Sequence, residues 1–137
     1  MEQRNDLILR EIEKLSLFLK KLINSLTGAN SNDIEAGIKQ ISEALKTELD
    51  LSIREIIEIE NKDLITKLND IHETNIENLA ELISKIVEKL SKVENDYGFD
   101  QKELANKAII LIDYLDKNSN TFSITRMNIK NVLQQWV

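Results

Sequence analysis

Not one proline occurs among the 137 residues, and the three glycines, Gly28, Gly37 and Gly98, stand far apart. Proline removes a main-chain donor and clashes with the preceding turn, while glycine costs about 1 kcal/mol in a helix interior. A chain almost free of both can run in long helices. Its apolar residues recur at steps of three and four, the period of one helix face. The pattern predicts an all-α protein, an antiparallel bundle of six to seven helices in a single domain over residues 1–137. The many isoleucines are mildly unfavourable to helix, so packing rather than propensity must hold these segments.

The first helix is expected over 3–26. Ile8, Ile12, Leu15, Leu19, Leu22 and Leu26 form a heptad seam. Leu7, Phe18 and Ile23 widen it to roughly 160° of the surface, more than one neighbour needs. Leu9 and Leu17 fall outside that arc. Gly28 suits the position after a helix, and Gly28–Asn32 reads as a loop. A second helix over 33–49, with Asn32 as N-cap, carries a narrow stripe of Ile34, Ile38, Ile41, Leu45 and Leu49. It belongs on the outside, antiparallel to the first as a hairpin.

Residues 51–71 are predicted as short helices, one or two, with Asp50 and Asn61 as candidate caps. The tract Ile56–Glu60 alternates as a strand would, but it has no partner strand. Thr74 and Glu77 have the spacing of a capping box that opens a helix over 76–93. Its apolar face runs from Ile76 to Val93, with Glu, Asn, Lys and Ser opposite. Asn95–Gly98 reads as a turn, and Asp100 as the cap of a helix over 101–117. That helix is apolar nearly all round and so expected at the centre. A last helix over 123–136, capped by Ser123 or Thr121, closes the chain.

Residues 76–137 resemble a tetratricopeptide-type repeat. The helix 76–93 stands as its helix A, Asn95-Asp-Tyr-Gly98 as its turn, and Leu104–Leu115 with Ala105 and Ala108 as helix B. Asp116–Asn120 resembles the closing tract, although the usual proline and the Leu-Gly pair are missing. The whole chain also resembles uncharacterised small bacterial helical proteins. The repeat resemblance implies right-handed stacking of helical hairpins and a protein-binding role.

Several chemistries lack their parts. There is no cysteine, which excludes disulfides and thiolate sites and suits a reducing cytoplasm. His72 is the one histidine, so the paired histidines of common metal and nucleophile motifs cannot be assembled. The glycines build no phosphate loop. The paired carboxylates fall at solvated positions, where acid–base work is not expected. No cofactor is expected. No apolar run approaches a membrane span, and with acids and bases throughout its first fifteen residues no signal peptide is expected.

The net charge of −6 is uneven. Residues 1–28 hold five bases against four acids, residues 29–75 five against eleven, and residues 76–137 eight against nine. An acidic chain with scattered bases disfavours nucleic acid. The expectation is therefore a non-enzymatic interaction module that binds a protein partner or a second copy of itself, with a small-molecule ligand left open. An enzyme built on Asp, Glu, Lys, Ser or Tyr is the competing reading. Trp136, Tyr114 and Phe122, in the aromatic C-terminal region, and Leu9 and Leu17 are the candidate interface residues.

Overall fold

The computed structural model describes residues 2–28, 33–90 and 100–137. Seven α-helices account for them, with no strand among the described residues. They are α1 (Glu2–Thr27), α2 (Ile34–Leu49), α3 (Ile53–Glu58), α4 (Asn61–Leu68), α5 (Glu73–Leu90), α6 (Gln101–Asn118) and α7 (Ile124–Leu133). A 3-10 turn over Gln134–Trp136 follows α7. The all-helical class is as the periodicity predicts. The expected turn Asn95–Gly98, the cap Asn32 and the last residues of the predicted helix 76–93 lie outside the described residues.

Local chemistry sets most boundaries. Asp100 accepts a hydrogen bond from the Glu103 amide and Ser123 one from the Arg126 amide, so α6 and α7 start where the caps predict. Asp50, expected to open a helix, instead closes α2 in the left-handed conformation (φ 58°), which a short polar side chain tolerates. Ser52 takes the opening role, in a full capping box with Glu55. Residues 51–71 therefore divide into two helices, α3 and α4.

The predicted box at Thr74 and Glu77 does not form. Helix α5 starts three residues earlier than predicted, at Glu73, and the Thr74 amide donates to His72 Nδ1 at 3.1 Å. Glu77 is drawn away to α7, where its carboxylate accepts from Ser123 Oγ at 3.0 Å.

One apolar cluster runs through all seven helices. Helix α2 contributes the predicted stripe Ile34, Ile38, Ile41 and Leu45 and stays peripheral. The most enclosed helix is α5, with ten of eighteen residues buried against seven of eighteen in α6. The reason is that Asn75, Asn78 and Ser84, which read as solvated, are buried. Asn75 Nδ2 donates to the Ile12 carbonyl at 3.0 Å and Asn78 Nδ2 to Ser16 Oγ at 3.2 Å. Position 75 thus faces 12 and position 78 faces 16, so α1 and α5 run in the same direction within a bundle expected to be antiparallel.

Candidate functional site

The parallel register of α1 on α5 creates the most distinctive surface of the molecule. Helix α1 is 26 residues long and α5 is 18, about 39 Å against about 27 Å. Because α5 begins beside Ile12, the part of α1 before it runs past the end of its neighbour. Leu7, Ile8 and Leu9 there are 58%, 49% and 55% exposed, and Leu17, two turns on, is 63% exposed.

Leu9 and Leu17 are exposed, as their place outside the seam predicts. Leu7 and Ile8 were expected within the buried arc and are not in it. Farther along α1, Leu19, Ile23 and Leu26 sink into the core.

Two grooves follow this helix. One, of ≈ 630 Å³, is floored by Leu15, Leu17 and Phe18 and edged by Glu11, Lys14 and Glu48. The other, of ≈ 490 Å³, lies between Ile8, Ile12 and Leu15 of α1 and the turn holding Ile71 and His72. Glu11 and Leu15 line both, so the two are adjacent. An apolar floor with charged edges is what a helix-binding groove presents.

The aromatic candidates divide. Phe122 is 76% exposed at the corner before α7, with exposed Ile124 and Met127 nearby. Tyr114 and Trp136 instead are partly buried against the core. The 3-10 turn after α7 folds Trp136 back onto the bundle, and its Nε1 is buried with no hydrogen-bond partner among the described residues. Trp136 therefore packs in part against the C-terminal end of the bundle.

The corner carrying Phe122 is rigidly held by a residue the sequence did not mark. Arg126 is buried, with Nε donating to Asp116 at 2.8 Å, Nη2 to the Thr121 carbonyl at 2.6 Å, and Nη1 lying 3.4 Å from Glu77. Nearby, Lys130 donates to Asp113 at 2.6 Å, and this hydrogen bond raises its pKa. Lys107 is a second buried cation. It donates to the Ile59 carbonyl and to Asn61 Oδ1 (2.7 Å), tying the α3–α4 junction to α6.

A surface cluster joins α2, α3 and α4. Lys46 contacts Asp50 at 3.1 Å and Glu55 at 3.0 Å, and Lys67 contacts Asp50 at 3.1 Å. The hydrogen bonds from Lys46 hold the Glu55 and Asp50 carboxyls below their usual range. Each member is satisfied by another, which is a structural arrangement. Among the described residues, no group of three or more His, Cys, Asp or Glu side chains could hold a metal ion. Among them too, no helix is long and apolar enough to cross a membrane.

The chain matches no protein-family model. No curated protein and no solved structure matches it either.

Proposed function

We propose that this chain is a non-catalytic helical protein–protein interaction module that binds through the outer face of α1. One observation carries the reading: Leu7, Ile8, Leu9 and Leu17 stand in solvent on a single helix, beside grooves floored by Leu15 and Phe18. Isolated exposed leucines are ordinary, but four large apolar side chains exposed on one helix, beside grooves with apolar floors, make a surface of the kind that partners cover. The groove edges are charged and the floor apolar, whereas an enzyme site brings a few polar groups together on one point. The stacking of α7 against both α5 and α6 supports the tetratricopeptide-like reading of the C-terminal half, with α1 as the added binding element.

Site-specific photo-cross-linking tests the reading. A benzoylphenylalanine placed at Leu17 is expected to give discrete protein adducts in cell extract. The same group at Glu43, on the outer side of α2, is expected to give none. Equal labelling at the two positions, or none at 17, would end the proposal.

A further inference from the structure

Four residues on one flank of α1, three of them exposed and Phe18 partly buried against the core, are ordered so that the helix complements its own reverse. Leu7, Glu11, Lys14 and Phe18 are spaced by four, three and four, and at about 100° per residue they lie within about 60° of one another. The spacing is the same read from either end. Reversing the helix exchanges Leu7 with Phe18 and Glu11 with Lys14, so apolar meets apolar and acid meets base. We infer that the occupant of this face is a second copy of the chain, with two α1 helices antiparallel about a two-fold axis between Ile12 and Glu13. Leu7 of each copy then packs on Phe18 of the other, and Glu11 pairs with Lys14. This inference rests on the reading of α1 as an interface and names its partner.

Three further observations favour a copy. Glu11 and Lys14 are exposed and have no ion-pair partner among the described residues. Leu7 is exposed and Phe18 only partly buried, so both apolar members of the four have surface left for a partner. Lastly, the chain carries −6 overall, which opposes self-association. Residues 1–28 are the one segment of the three where bases exceed acids, five to four, so repulsion is least there. An isologous contact of this kind closes at two subunits. From position 7 to 18 it is only about 17 Å long, at the small end of stable interfaces, so the dimer is reversible and of micromolar strength.

Sedimentation equilibrium on the full chain between about 1 and 200 µM tests this, a range that brackets micromolar dissociation constants. The unsubstituted chain is expected to shift from monomer to dimer. Glu11→Lys alone and Lys14→Glu alone each place like charges across the axis and are expected to weaken association at least about tenfold. An equimolar mixture of the two is expected to form a heterodimer, since every contact then joins Lys to Glu. The double variant Glu11→Lys/Lys14→Glu is expected to dimerise as the original does. These side chains are exposed, so circular dichroism is expected to report unchanged folding. A chain monomeric throughout the range overturns the inference, as does a mixture that stays monomeric or single variants that associate normally. If the chain is monomeric while position 17 still cross-links to a different protein, the interaction-module reading stands and only the second copy is lost. Failure of both experiments removes both.

Discussion

Asn75 of α5 donates a hydrogen bond at 3.0 Å to the carbonyl of Ile12 in α1, joining positions 63 residues apart. A carbonyl has two lone pairs, and the helix's own ladder uses one. Asn75 therefore reads the backbone of α1 and fixes how far along α5 it sits. Asn78 supports it, with Nδ2 at 3.3 Å from Asn75 Oδ1. A polar residue in an otherwise apolar helix seam sets register at some cost in stability. That register leaves Leu7, Ile8 and Leu9 about half exposed.

Asn75→Ala is expected to lower the unfolding free energy by about 1 to 2 kcal/mol, the usual range for a lost buried hydrogen bond. Urea unfolding measures it. Equal stability would mean that the bond holds nothing in place.

Arg126 joins α7 to α5 and α6 through Glu77, Asp116 and the Thr121 carbonyl. Arg126→Met is expected to cost about 2 to 3 kcal/mol, below the full cost of breaking a buried pair because Asp116 stays half exposed. Hydrogen exchange should show the loss concentrated in α7. Uniform loosening of the whole bundle would contradict this assignment.

Lys107→Met leaves the Ile59 carbonyl and Asn61 Oδ1 without their donor. A loss of about 1 to 3 kcal/mol is expected. Faster exchange confined to α3 and α4 is the distinguishing result, and protection unchanged there would remove the proposed clamp.

The Lys46 cluster gives a pH dependence with a definite sign. The folded pKa values of Asp50 and Glu55 lie below those of the unfolded chain, so the unfolded state binds more protons in acid. The stabilisation is present above the ordinary carboxylate range and is lost as pH falls through the depressed values. In Lys46→Met, NMR titration is expected to show both carboxyl midpoints moving up. The stability difference from the original chain should be present at neutral pH and fade in acid. A difference that persists undiminished to about pH 2 would contradict the linkage.

Trp136 buries its indole N–H without a partner among the described residues. Trp136→Phe removes that unsatisfied donor while keeping an aromatic ring, so it is expected to cost less than about 1 kcal/mol or to stabilise. Leu133→Ala, at a fully buried neighbour, should cost about 2 to 5 kcal/mol. Comparable large losses in both would show that the indole N–H is satisfied after all.

The sequence by itself determined the helices. The absence of proline, the spacing of Ile34, Ile38, Ile41 and Leu45, and the caps at Asp100 and Ser123 act within a few residues, where chain geometry alone decides the outcome. Leu9 and Leu17 were legible as exposed for the same reason, since their place outside the α1 seam is a local property. Tertiary structure decided everything that depends on which helix meets which. The burial of Asn75, Asn78, Lys107 and Arg126 could not be read from the sequence, because a polar side chain is buried only where distant segments supply its partners. Glu77 had the spacing of a cap, yet Ser123 and Arg126, more than forty positions away, claimed it. The exposed end of α1 arises in the same way. Its heptad seam continues through Ile8, but α5 begins beside Ile12, and only the packing of the two helices sets where a continuous apolar stripe loses its cover.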